Sequence, residues 1–341
     1  MRKIDTARCS QKVIDIRTKF SQWIVGQSEA TEAVVHILEK YFGGLNDAKR
    51  PIGSLLFLGP TGTGKTSVVE ALCEGLYGNA NTMIKIDCSE FQYGHEIAKL
   101  VGSPPGYLGH KETPARFTTA TMLANQTKEF PFTVVLFDEI DKASDDLWQL
   151  LLNVLDKGML TLGDNSRTNF KDALIFMTSN IGAHQMDAAA GDAAFGFQSA
   201  NVETFSYKEL QTITMAAARK KFTAEFLNRL DEIVTFHTLT KPQIEEVLKM
   251  ELQKIKNTLL LKNGSFLEVS PAALKELLAR GYDKKYNARN IRRTLEKEIT
   301  VPISRALSCG EMGDGENIVV DYAGAFEFFS RRMFRTVKVG V

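Results

Sequence analysis

The stretch Gly59-Pro60-Thr61-Gly62-Thr63-Gly64-Lys65-Thr66 constrains this chain more than any other. It follows an apolar run at 54–58, which reads as a buried strand. It precedes Val68, Val69, Leu72 and Leu76, spaced at three and four residues as on one face of a helix. In that strand–turn–helix context, G-x-x-x-x-G-K-T reads as a phosphate-binding loop rather than a plain glycine-rich turn. The glycines let the backbone curl so that successive N–H groups face one anion. The helix brings its positive end to the same place. Lys65 is then expected on the β- and γ-phosphates of a nucleotide, and the Thr66 hydroxyl on Mg²⁺.

Composition excludes several classes of function. Lys plus Arg is 42 and Asp plus Glu is 41 in 341 residues, so no global charge draws the chain to nucleic acid or anionic lipid. No apolar stretch is long enough to span a bilayer. The N-terminus carries Arg2, Lys3, Asp5 and Arg8 without an apolar signal core, and a cytoplasmic location is expected. Cys9, Cys73, Cys88 and Cys309 fit neither a zinc spacing nor a disulfide framework. They are expected as buried or free thiols in a reducing compartment.

Along the chain, Val13, Ile16, Phe20 and Trp23 make the stripe of a first helix. Ser28 is expected to cap a second one, which Gly43-Gly44 ends. Ile24 and Val25, between the two, either touch a nucleotide base or belong to the core. Residues 83–87 read as a strand. The segment at 102–109 has two prolines and three glycines around Tyr107-Leu108, which excludes regular structure. Its aromatic either grips an extended chain or folds back on the domain. Residues 134–137 read as a central parallel strand, with Asp138 and Glu139 at the end where ligands bind in open α/β sheets. Asp138 can hold Mg²⁺, and Glu139 can polarise an attacking water.

Ser144 then caps a helix with Leu147, Trp148, Leu151 and Val154 inward, and residues 173–178 form a strand leading to Asn180. That amide either contacts the γ-phosphate and water or makes a turn. Residues 182–205 read as a long loop in which Phe195-Gly196-Phe197 suggests a docking point. Residues 222–229 are expected to continue a helix into a strand at 232–236. Arg229 there either reaches a neighbouring subunit's phosphate or is a surface charge.

The composition shifts at 237–240. The expected division is a large α/β nucleotide-binding domain over 1–237, with a helical lead at 1–50, a small helical domain over 238–322 and a tail at 323–341. In the small domain, helices are expected at about 241–262, 271–280 (stopped by Gly281) and 288–308 (bent at Pro302), and short strands at 266–269 and 317–321. Arg289 could reach back over the nucleotide. The tail mixes aromatics with Arg331, Arg332 and Arg335, and reads either as an interface arm or as a frayed end.

Together these residues resemble an AAA+ ATPase, and more narrowly the second nucleotide-binding module of the Clp ATP-dependent protein unfoldases. The likeness runs over about 20–322 and rests on residues 59–66, G-S-P-P-G-Y-L-G at 102–109, L-F-D-E-I-D-K-A at 136–143, M-T-S-N-I-G-A at 177–183, E-F-L-N-R-L-D-E at 225–232 and N-A-R-N-I-R-R at 287–293. It implies a doubly wound parallel sheet followed by a smaller, mainly helical lid. It implies ATP and Mg²⁺, with Lys65 and Thr66 on the phosphates, Asp138 on the metal and Glu139 on the water. Asn180 would be the first sensor, Arg289 the second, Arg229 a finger acting in trans, and Tyr107 with Leu108 the substrate pore loop.

The family works as hexameric rings that thread polypeptide, so a homo-hexamer, a polypeptide substrate and a Clp-type peptidase docked at Phe195-Gly196-Phe197 are implied. Nucleic acid and membrane partners are not expected. Thr223-Ala224 stands where the family usually has Arg-Pro, and Asn287 where it usually has Gly. His110-Lys111-Glu112-Thr113-Pro114 replaces a Gly-rich stretch. A single-module form is expected. The alternatives are an ATP-switched adaptor that threads nothing, or a remodeller of another macromolecule.

Overall fold

Six consecutive buried residues can form a strand only inside a sheet covered on both faces. The computed structural model, which describes residues 9–103, 114–183, 185–186, 206–283, 287–313 and 315–332, contains two such interior strands and a third with five buried residues in a row. The chain forms two compact units. One comprises the residues up to Pro60 and Gly64–His237; the other comprises Thr61–Thr63 and the chain from Thr238 on.

The first unit holds β1 (Gly53–Leu58), β2 (Ile84–Asp87), β3 (Thr133–Asp138), β4 (Met159–Thr161), β5 (Arg167–Asn169), β6 (Ala173–Ser179) and β7 (Glu232–Thr235). Five of them make a parallel sheet in the order β2-β3-β6-β1-β7. Alternate side chains serve opposite faces. Leu56, Leu58, Val135, Phe137, Ile175 and Met177 pack on one side, and Leu55, Phe57, Val134, Leu136, Leu174 and Phe176 on the other. The latter side is covered by α1 (Gln11–Trp23), α2 (Ser28–Phe42) and α3 (Lys65–Tyr77). The former is covered by the helix Asp145–Lys157, through Leu147, Trp148, Leu151, Val154 and Leu155, by Ala218 of the helix Tyr207–Lys221, and by Met122 and Phe226 from short helices. The chain thus has the doubly wound parallel sheet expected of it.

Local details depart from expectation for identifiable reasons. Ser28 is the first residue of α2 rather than its cap; Gln27 takes the cap position and sends its amide N–H to the His237 carbonyl at 2.9 Å. The helix expected through 222–229 is broken. Tyr207–Lys221 ends at Phe222 in extended backbone, and Thr223, also extended, caps the one-turn helix Ala224–Leu227 by accepting from the Phe226 N–H. The buried Phe222 ring stacks on Phe226, 5.5 Å between centroids, and sits edge-on to Trp148, so packing overrides helix continuation. The antiparallel pair β4–β5, unforeseen from periodicity because each strand is three residues, turns through Asn165 at φ 65°.

The second unit packs the helices Lys241–Asn263, Pro271–Gly281, Ala288–Leu295 and Val301–Ser308 around Ile244, Leu248, Leu277, Ile291, Leu295 and Ile303. The single helix expected over 288–308 is three segments. A π turn, Glu296–Thr300, lies immediately before Val301-Pro302 and widens the helix where the proline ring would crowd a preceding carbonyl. Gly281 is the last residue of its helix rather than a stop beyond it. A Cβ there would lie 2.6 Å from Ile291 Cδ1, so a larger residue would have to displace that methyl group.

The strands β8 (Leu267–Val269), β9 (Glu316–Tyr322) and β10 (Phe326–Arg332) form a sheet in the order β10-β9-β8. β8 pairs parallel and β10 antiparallel with β9. The start of the presumed tail is therefore not frayed but a seven-residue strand in full register with β9.

Candidate active site

Parallel strands all end on the same edge, and here three adjacent ends, Asp87 of β2, Asp138 of β3 and Ser179 of β6, carry polar groups side by side. The register pairs Leu58 with Ser179, Phe137 with Met177 and Asp87 with Asp138. After β1 the chain turns through Gly59 at φ 140°, where a Cβ would lie 2.3 Å from the Phe236 carbonyl oxygen, so only glycine fits. Gly62 and Gly64 follow at φ 78° and 102°. Gly64 is the N-cap of α3, and Lys65 its first residue. The Lys65 side chain is buried. Its ammonium donates to the carbonyls of Gly59 at 2.7 Å and Pro60 at 2.8 Å, and to Asn180 Oδ1 at 3.0 Å.

From the end of β6, Asn180 also donates from Nδ2 to Glu139 Oε1 at 3.4 Å. Glu139 follows β3 in left-handed backbone, φ 56° and ψ 46°, with its N–H on Thr178 Oγ1 at 3.1 Å. Its other carboxylate oxygen receives Lys142. That hydrogen bond raises the Lys142 pKa. The Thr178 hydroxyl donates to Asp138 Oδ1, and Lys85 Nζ lies 3.0 Å from Asp138 Oδ2. The structure thus joins Lys65, Asn180 and Glu139 in one hydrogen-bonded chain and sets Asp138 next to it. Lys85, Thr178 and Lys142 were not singled out by sequence reasoning. For Lys85 and Thr178 the signal lies in strand register, which motifs do not display.

The loop suits a polyphosphate. It presents a lysine at the N-terminus of a 13-residue helix, with glycines where the backbone curls. One carboxylate, Asp138, and one hydroxyl, Thr66, are hard oxygen donors of the kind Mg²⁺ takes alongside water and phosphate. Among the described residues no group of three or more His, Cys, Asp or Glu could cage a metal by itself.

The remaining candidates are dispersed. Ile24 ends α1 and packs on the core face carrying α1–α3, with Val25 half-buried next to it. Arg229 follows the helix Ala224–Leu227, beside edge strand β7. Its guanidinium pairs with Asp156 at 2.7 Å and Glu225 at 3.0 Å, and the Asp156 hydrogen bond raises its pKa further. Arg289 is an exposed residue of the helix Ala288–Leu295 in the second unit. Tyr107, Leu108, Phe195, Gly196 and Phe197 lie outside the described residues. No helix among the described residues is long and apolar enough to cross a membrane.

Comparison with known proteins accords with this geometry. Residues 50–233 match the family model of the AAA domain (Cdc48 subfamily), and residues 239–320 match that of the C-terminal, D2-small domain of ClpB protein. The ATP-dependent Clp protease ATP-binding subunit ClpC of Staphylococcus aureus (strain USA300) is 35% identical over 315 residues, which are 92% of this chain and 37% of ClpC. The chaperone protein ClpB 1 of Synechococcus elongatus is 35% identical over 310 residues, 91% of this chain and 33% of that relative. The chain therefore spans about a third of the length of these curated relatives.

Among solved structures, the closed-state cryoEM reconstruction of Hsp104 with ATPγS and FITC casein aligns with a TM-score of 0.77 at 27% identity. The alignment covers 96% of this chain and 53% of that one. The loop on β1, the acids on β3 and the amide on β6 are thus set in a fold shared with these ATPases, and the chain belongs to the AAA domain family, Cdc48 subfamily.

Proposed function

We propose that this chain is an ATP-hydrolysing module which, assembled in a ring, unfolds or remodels polypeptides in the manner of Clp unfoldases. The observation that carries this reading is the hydrogen-bonded chain Lys65–Asn180–Glu139 beside Asp138, at the ends of adjacent parallel strands. Backbone N–H groups of residues 61–66 and the Lys65 ammonium bind the phosphates. Thr66 and Asp138 would hold Mg²⁺, which neutralises phosphate charge when bound. Glu139 takes the proton of the attacking water as its oxygen bonds to the γ-phosphorus and the bond to the bridging oxygen breaks, giving ADP and phosphate. Asn180, already bonded to Glu139, orients that water.

Arg229 serves the phosphate of a neighbouring subunit, and Arg289 the nucleotide of its own. Ile24 and Val25 flank the base. Tyr107 and Leu108 grip the threaded chain, and Phe195-Gly196-Phe197 docks a Clp-type peptidase. A homo-hexamer working in the cytoplasm completes the reading. Support comes from the relatives: ClpC is by name the ATP-binding subunit of a protease, and Hsp104 was visualised with an ATP analogue and casein. The domain division proposed is 1–237 and 238–322 with a tail at 323–341, whose first strand, β10, pairs with β9 of the small domain.

Glu139→Gln tests the site. The variant should bind ATP as tightly as the parent but turn it over at least about 100-fold more slowly, the usual scale for a lost general base. Unchanged turnover would remove Glu139 from the mechanism. A second reading, an ATP-switched binding module, draws on the Arg229 guanidinium being held by Asp156 and Glu225 of its own chain. Slow turnover that no unfolded protein stimulates would favour it.

A further inference from the structure

The second unit contains a residue in a conformation that asparagine seldom takes. Asn287 has φ 47° and ψ −134°, close to the first central position of a type II′ turn, which glycine dominates. It is fully buried. Such backbone persists only where its surroundings hold it, and here they do so through both ends of the side-chain amide. Oδ1 accepts the Leu239 N–H at 3.1 Å, and Nδ2 donates to the Thr61 carbonyl at 3.4 Å. The next residue, Ala288, sends its N–H to the Gly62 carbonyl at 3.2 Å. Thr61–Thr63 group with this second unit, so these bonds lie inside it.

A trans peptide points its C=O and the following N–H in opposite directions. Holding the Thr61 carbonyl therefore orients the Gly62 N–H the other way, and holding the Gly62 carbonyl does the same for the Thr63 N–H. Only a side chain with an acceptor and a donor can serve Leu239 and Thr61 together. An amide has both, whereas an ionised carboxylate only accepts and an ammonium only donates.

We propose that Asn287 is a positioning residue that anchors the Thr61 carbonyl to Leu239 and so presets the tip of the phosphate loop with its N–H groups turned toward a nucleoside polyphosphate. This rests on the nucleotide reading given above. It predicts that the amide, rather than the turn itself, contributes to binding. Asn287→Gly tests this because glycine keeps the turn and loses only the amide.

Two measurements on the full chain decide the matter, with thermal melting to verify that the variant is folded. In the ligand-free protein, hydrogen exchange at the Leu239 amide should quicken at least tenfold in Asn287→Gly. Exchange at Ile244, which is bonded to the Thr240 carbonyl, should not change. With a fluorescent ADP analogue, affinity should fall at least fivefold. Unchanged Leu239 exchange, or unchanged ADP affinity, would overturn the proposal. If the parent bound no nucleotide while Leu239 still quickened, the anchor would stand and the nucleotide reading would fall.

Discussion

At position 59 the chain has no room for a methyl group: it would meet the Phe236 carbonyl oxygen at 2.3 Å, and φ there is 140°. Gly59→Ala should therefore cost about 1–3 kcal/mol in strain and loosen the loop with it, readable as a lower denaturation midpoint and weaker nucleotide binding. Equal stability would show that the loop shifts freely. The need for glycine in the loop was legible in the motif, and so was the pairing of an acid-tipped strand with a lysine-bearing helix. The lysines answering those acids were not. Lys85 faces Asp138 because β2 and β3 pair in one particular register, which the local sequence does not specify. Lys142 reaches Glu139 only because that residue takes left-handed backbone after the strand.

Elements were legible where hydrophobic periodicity was long. The stripe Leu147, Trp148, Leu151 and Val154 gave its helix directly, and the apolar runs gave β1, β3 and β6. Elements specified by packing partners were not, as at Phe222 and in β10. Phe176 lies fully buried in the middle strand of the sheet, so Phe176→Ala should destabilise by about 3–5 kcal/mol in equilibrium unfolding. A loss below about 1 kcal/mol would place that ring elsewhere.

Cys73, on the inner side of α3, has its thiol pushed up to about 12 by burial, and burial also raises Cys88 well above the ordinary range. Mass spectrometry after alkylation at pH 8 should find Cys309, which is exposed, modified and Cys73 and Cys88 untouched until the protein unfolds. The sign of the linkage follows. The folded thiol of Cys73 holds its proton more tightly than the unfolded one, so its contribution to stability is complete below about pH 9 and falls as pH climbs toward 12.

At the scale of the molecule, two matched family models account for both units, while the chain corresponds to only 37% of ClpC and 33% of ClpB 1. A site completed by an arginine from another subunit hydrolyses ATP only when assembled. Arg229 stands on the edge-strand side of the sheet, where such a contact can form once its bonds to Asp156 and Glu225 exchange for a phosphate. The central claim, an ATP-dependent ring, is tested most directly by the solution mass of the Glu139→Gln protein in saturating Mg-ATP, by light scattering on a sizing column. A hexamer, lost when Arg229→Ala is added, is the predicted result. A monomer carrying bound ATP would contradict the self-assembled ring.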